Sequence, residues 1–174
     1  MPILHPAAAM SRPRRLDGFD YIGPQRYFVT LCVLDRRSVF TDADVVESVR
    51  SHFLNLATEF ACAILAYCFM PDHVHLLIEG TAENADLRSF VARAKQKSGF
   101  DFAAKHQHRL WQKGYYERVL RDDESTAEVI RYIIANPVRA GLVVEPGECQ
   151  FWGSGVHTRE ALIELISVQT ERHR

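Results

Sequence analysis

The chain has 174 residues, 47% apolar and 25% charged, which suits one globular domain with one sizeable core and excludes a disordered chain. Its 21 basic and 22 acidic residues exclude a bulk polycation, and no apolar run approaches the roughly 18 residues of a membrane span. Cys32, Cys62, Cys68 and Cys149 form no CxxC pair, so reduced thiols are expected rather than a disulfide framework.

Residues 1–25 carry Pro2, Pro6, Pro13, Gly18, Gly23 and Pro24 without any period and read as a loose N-terminal arm. Arg26 to Leu34 is β-branched and aromatic and reads as a strand. Thr41 is placed to cap a helix from Asp42 to Thr58. Ala61 to Phe69 has strand length and is ended by Met70-Pro71-Asp72. His73 to Glu79 alternates and pairs with it as a hairpin, closed by Gly80. The spacing of Leu87, Phe90, Val91, Ala94 and Ser98 predicts a helix over 83–102. Leu110 to Leu120 reads as a fourth strand, interrupted by Gly114. Asp122, Asp123 and Ser125 offer caps for a helix reaching Asn136, where Pro137 is expected to end it. A last helix is expected from Arg159 to Thr170.

The order β-α-β-β-α-β, then a further helix, predicts an α+β fold. It is a ferredoxin-like split βαβ sandwich with an antiparallel sheet and helices on one face. Residues 26–145 form the domain, and residues 146–174 a tail with a helix.

Charge is unevenly spread. From Asp42 to Asp86 there are eight acidic residues and one basic, whereas from Arg88 to Arg118 there are eight basic and two acidic. His106, His108, Trp111, Tyr115 and Tyr116 lie within the basic block. Cations mixed with rings suit a single-stranded nucleic acid, since cations meet phosphates and rings stack on bases. A solvated helix face would read the same way.

The most specific short feature is Pro71-Asp72-His73-Val74-His75-Leu76-Leu77-Ile78. Residues two apart in a strand share a face, so His73 and His75 project side by side. Such a pair either converges on one divalent metal or consists of two satisfied strand histidines. In Glu128 to Pro137, the apolar stripe is Val129, Ile130, Ile133 and Ile134. Tyr132 and Asn136 fall together on its flank, one turn apart. A tyrosine there is a packing residue or a nucleophile, and the asparagine a helix-end residue or a ligand. A metal on the histidines would polarise a phosphate for attack by Tyr132. Asn136 would complete an oxygen-and-nitrogen shell suited to Mg²⁺ or Mn²⁺, with Zn²⁺ as an alternative.

The runs FMPDHVHLLIEG, LWQKGYYERVLRDDES and YIIANPVRAGLV, in this order and spacing, resemble the single-tyrosine HUH transposases of the IS200-like kind. The nearest branch is that of the REP-associated tyrosine transposases. The resemblance spans roughly Arg14 to Val143, and the segment after Phe151 continues no motif of the family. It implies that His73 and His75 bind the metal, that Asn136 is the third ligand and that Tyr132 is the nucleophile. It also implies a ferredoxin-like palm with an extra catalytic helix. The implied activity is cleavage and rejoining of single-stranded DNA near hairpins, without ATP, through a 5′-phosphotyrosine. Hairpin contacts are then expected from Arg88, Arg93, Lys95 and Lys97, and from Arg14 and Arg15 in the arm. A monomer or a homodimer fits the family, and a cytoplasmic, nucleoid-associated protein is expected.

Two rival readings stand beside this one. A domesticated protein could hold hairpin DNA without cutting it. Alternatively, His73-x-His75-x3-Glu79 imitates the first metal motif of cupin oxygenases, which require an all-β barrel. Tyr67, Tyr115 and Tyr116 are the other tyrosines that compete with Tyr132 for the nucleophile's role.

Overall fold

The computed structural model describes residues 20–121 and 125–167. Arg14, Arg15, the caps offered by Asp122 and Asp123, and the end of the last predicted helix lie outside these residues. The elements are β1 (Arg26–Cys32), α1 (Ala43–Glu59), β2 (Cys62–Met70), β3 (His73–Gly80), α2 (Leu87–His106), β4 (Tyr116–Val119), α3 (Thr126–Ile134), α4 (Asn136–Arg139), β5 (Trp152–Gly153) and α5 (Arg159–Ser167). Among the described residues no helix is long and apolar enough to cross a membrane.

The sheet order is β4-β1-β3-β2-β5, with every pairing antiparallel. The first four strands therefore have the ferredoxin-like arrangement expected from the sequence. The tight β2–β3 turn returns the chain beside β2, and α1 carries β2 far enough from β1 for β3 to fill the gap. β4 and β5 leave the sheet open at two edges, so the barrel required by the cupin reading is absent.

Alternation divides the interior in two. Val29, Leu31, Val74, Leu76 and Ile78 face α1 and α2, which contribute Val49, Phe53, Leu56, Phe90, Val91 and Ala94. Phe28, Cys68, Met70 and Leu77 face the other way, against Val129, Ile130, Ile133 and Ile134 of α3 and Leu162 of α5. Helices thus cover both faces, not one. The third predicted helix has its own apolar stripe, and the first face is already filled by α1 and α2. A nine-residue helix such as α3 is too short to hold itself in water. Each of its four buried aliphatic side chains supplies about 1.5–3 kcal/mol by burial.

Several boundaries differ from expectation. Asp42, not Thr41, caps α1, accepting from the backbone N–H groups of Asp44 (2.9 Å) and Val45 (3.4 Å). Asp86 caps α2 through Ser89 N–H (2.9 Å), so this helix starts later than predicted and runs on to His106. β4 covers only Tyr116–Val119, with Trp111 held by an isolated bridge to Val33. The helix before Pro137 stops at Ile134, and a new turn begins at Asn136 with Pro137 inside it. Proline tolerates a helix's first turn because its missing N–H would lack a partner there anyway. The arm's last residues are packed. Tyr21 is buried, and Gly23 N–H donates to Ala85 O at 2.9 Å.

Candidate active site

β3 is central in the sheet and pairs with β1 so that Cys32 faces His73 and Thr30 faces His75. Both histidines lie on the face covered by α3. Their Nε2 atoms are 3.1 Å apart and their rings meet at 82°.

The other nitrogen of each ring is engaged. His73 Nδ1 lies 2.6 Å from Asp72 Oδ1 and His75 Nδ1 lies 2.9 Å from Thr30 Oγ1. A carboxylate only accepts at neutral pH, so His73 carries its proton on Nδ1 and presents a lone pair at Nε2. Asp72 is held in turn by Arg36, whose Nε is 2.7 Å from Asp72 Oδ2. Asp35 (φ 57°) and Arg36 (φ 56°) are both left-handed, a conformation that favours glycine. That turn brings the Arg36 guanidinium to the carboxylate.

Burial holds the His73 imidazolium below its ordinary range, although Asp72 pulls the other way. His75 is held well below its ordinary value by burial, then by its neighbour His73 and by Arg36. Both rings are therefore neutral, the form that ligates metals. The two Nε2 atoms converge to 3.1 Å, and neutral imidazole nitrogens are common donors to a divalent metal. The Nε2 pair thus fits as two donors to one divalent ion. Among the described residues there is no group of three or more His, Cys, Asp or Glu side chains able to hold a metal. Any further ligand among the described residues is then of another type.

Asn136 is of that type. It is 4% exposed, and its Nδ2 donates to Tyr132 O (2.8 Å) and Ile133 O (3.4 Å). Carbonyl oxygens cannot donate, so the amide nitrogen is fixed at the helix end and the amide oxygen is the end left to ligate. Tyr132 is half-buried at the rim of the second core. Its ring meets Phe28 edge-on at 6.0 Å, and Phe28 stacks on His75 at 5.4 Å. One phenyl ring thus joins the imidazole to the phenol. The Arg139 guanidinium carbon lies 4.6 Å from the centre of the Tyr132 ring.

The predicted site residues therefore fall into two groups. His73 and His75 meet directly, Tyr132 and Asn136 are hydrogen-bonded, and Phe28 connects the pairs. The basic residues of α2 lie elsewhere, because α2 packs on the opposite face of the sheet. Arg88 is exposed beside the Tyr21 ring (5.4 Å), Arg93 is exposed and donates to Gln96 Oε1 (2.8 Å), and Lys97 is half-buried. Lys95 Nζ donates to the backbone oxygens of Gln112 (3.0 Å) and Gly114 (2.5 Å). Burial lowers its pKa to about 8. Of the competing tyrosines, Tyr67 and Tyr115 pack in the first core, away from the histidines. Tyr116 shares their face, edge-on to Phe28 at 6.5 Å.

Sequence reasoning missed Asp72, Thr30, Arg36, Phe28 and Arg139. Asp72 adjoins His73 and was available as an orienting carboxylate. Thr30 and Phe28 required the β1–β3 register.

The IS200-like transposase family model matches residues 24–136. A Haemophilus influenzae protein named as a candidate REP-associated tyrosine transposase is 30% identical over 146 residues, covering 77% of this chain and 80% of its own. A second H. influenzae protein, uncharacterized, is 25% identical over 162 residues, covering 73% and 88%. Among solved structures, a REP-associated tyrosine transposase bound to a REP hairpin superposes with a TM-score of 0.68 at 23% identity, over 82% of each chain. That likeness establishes the fold. The family match, over well more than half of the sequence, and the 30% relative establish the lineage: the chain belongs to the IS200-like transposase family.

Proposed function

We propose that the chain is a transposase of the REP-associated tyrosine kind. It cleaves single-stranded DNA beside a hairpin and rejoins it, using Tyr132 as nucleophile and a divalent metal held by His73, His75 and Asn136. The observation that carries this reading is the His73–His75 pair, with Nε2 atoms 3.1 Å apart and both Nδ1 atoms engaged elsewhere.

Mg²⁺ or Mn²⁺ at these ligands would supply Lewis-acid polarisation of a phosphate oxygen. Asp72 and Thr30 hold the two imidazoles in their ligating orientation. Phe28 packs between the phenol ring and the His75 imidazole and keeps water from that side of the phenol. The Tyr132 Oη attacks the phosphorus, and its proton passes to solvent. The new Oη–P bond forms as the P–O3′ bond breaks, and the departing 3′-oxygen takes up a proton from water. The 5′-phosphate is then joined to Tyr132. Attack by another 3′-hydroxyl reverses the step and reseals the strand. Each step exchanges one phosphodiester for another, so ATP is not required.

Covalent capture tests the proposal. Wild type and Tyr132→Phe are incubated with labelled strands carrying a REP hairpin, in Mg²⁺, Mn²⁺ or chelator, and run on denaturing gels. A metal-dependent shifted band lost in Tyr132→Phe is expected. Tight hairpin binding with no band under any condition refutes the nuclease and leaves a DNA-binding protein. A band retained by Tyr132→Phe moves the nucleophile elsewhere.

A further inference from the structure

The proposed reaction leaves one charged group beside the phenol without a role. Arg139 follows Tyr132 by seven residues, across the break between α3 and α4. On one continuous helix, seven residues bring a side chain back to the same face two turns on. The break at Ala135 starts a new turn, and the guanidinium lies over the phenol ring at 4.6 Å. Arg139 is nonetheless an exposed residue.

Arg139 ends the four-residue helix α4 and lies over the ring of the proposed nucleophile.

A guanidinium presents a planar fork of donors that matches two phosphate oxygens at once. A phosphate meeting the phenol oxygen comes within reach of a guanidinium already over that ring. The forming phenolate and the phosphodiester are both negative, and a cation beside them reduces their repulsion. Arg118, across from Phe28 in the β1–β4 register, puts a second cationic residue on the same sheet face.

We infer that Arg139 is a phosphate-binding catalytic residue, whose guanidinium holds the non-bridging oxygens of the phosphodiester at Tyr132 before attack and in the covalent adduct. This inference rests on the reading of Tyr132 as the nucleophile. Arg139 makes no bond to phosphorus and gives up no proton, so the balance of the transfer is unchanged.

The test separates binding from chemistry. In chelator, Tyr132→Phe and Tyr132→Phe/Arg139→Ala are titrated with a REP hairpin carrying single-stranded flanks and with the same hairpin blunt-ended. The added change should weaken the flanked strand about 10-fold and reduce its salt slope by about one, with the blunt hairpin unaffected. In the otherwise native chain, Arg139→Ala should slow covalent capture about 100-fold, as loss of one transition-state donor does. Arg139→Lys should recover part of that rate, since it keeps the charge and loses the fork. Equal flanked-strand affinity and slope, or capture at the wild-type rate in Arg139→Ala, overturns the assignment. If the binding difference persists while wild type forms no Tyr132 adduct, the nuclease reading fails and the phosphate site stands.

Discussion

Removing the Asp72 carboxylate is the sharpest perturbation of the histidine pair. It breaks the 2.6 Å contact to His73 Nδ1 and the 2.7 Å ion pair with Arg36 together. His73 then loses the partner that fixes its tautomer and ring angle. Outer-shell partners of ligating histidines are worth about 10–100-fold in metal affinity, or about 1.4–2.7 kcal/mol. The Asp72 side chain is 22% exposed, and partly exposed ion pairs contribute at most about 1 kcal/mol to folding. Asp72→Ala should therefore weaken Mn²⁺ binding by about that 10–100-fold factor and leave stability nearly unchanged.

Thr30→Val supplies the opposite signature. Thr30 is 1% exposed and His75 6%, so the substitution strands a buried ring nitrogen. A buried unsatisfied polar group costs about 1–3 kcal/mol of folding free energy. The hydroxyl is neutral and orients more weakly than a carboxylate, so its effect on metal affinity should be the smaller of the two. Mn²⁺ titration followed by the paramagnetic resonance signal of the free ion measures the first quantity. Urea unfolding without metal measures the second. A folded Asp72→Ala protein that binds Mn²⁺ as tightly as wild type would sink the orienting role.

Four further outcomes rest on packing and on the α2 charges. A Cβ at Gly80 would sit 2.1 Å from Gly23 O and 2.9 Å from Ala85 Cβ, so Gly80→Ala should cost at least about 2 kcal/mol in urea unfolding; a change below about 0.5 kcal/mol would show that the close approach is not held in solution. Burial raises the Cys68 thiol pKa above its ordinary value of 9.0, so the folded state keeps this proton when the unfolded state has lost it. The thiol's contribution to stability is complete below that pH and is lost as pH rises above it. The stability gap between wild type and Cys68→Ala should therefore narrow from about pH 8 to pH 10, and a constant gap would contradict the buried neutral thiol. Lys95→Ala frees the oxygens of Gln112 and Gly114 and should lower stability by about 1–2 kcal/mol without changing the salt slope for hairpin DNA. Arg88→Ala and Arg93→Ala should each reduce that slope by about one if α2 contacts phosphates.

The sequence carried the histidine pair and the tyrosine helix clearly because both rest on periodicity. Alternation in β3 puts Val74, Leu76 and Ile78 on one face and His73 and His75 on the other. Helical spacing puts Ile130, Ile133 and Ile134 inward and Tyr132 at the rim. What escaped depends on neighbours distant in sequence. Phe28 reads as an ordinary strand aromatic until register sets it two pairs along β1 from the Thr30–His75 pair, on the same face. Arg36 reaches Asp72 only because two non-glycine residues adopt left-handed backbone, and no residue type announces that. Pro137 reads as a stop, yet proline is also at home in a helix's first turn, which is where it stands. β5 has two residues, too few to show any period.

The same alternation separates the basic residues of α2 from the histidine face. α2, with Arg88, Arg93, Lys95 and Lys97, packs on the face of Val74 and Ile78. The histidines, Tyr132 and Arg139 belong to the face of Leu77. A strand whose hairpin rests on α2 must pass an edge or an end of the sheet to bring a phosphodiester to Tyr132. Hairpin affinity and cleavage should then fail independently. Neutralising Arg88 and Arg93 should weaken binding while saturating DNA restores the capture rate. His75→Ala should leave hairpin affinity within about two-fold and abolish capture. Loss of hairpin affinity in His75→Ala with the fold intact would instead mean that the hairpin itself sits on the histidine face, and the basic block of α2 would lose its role.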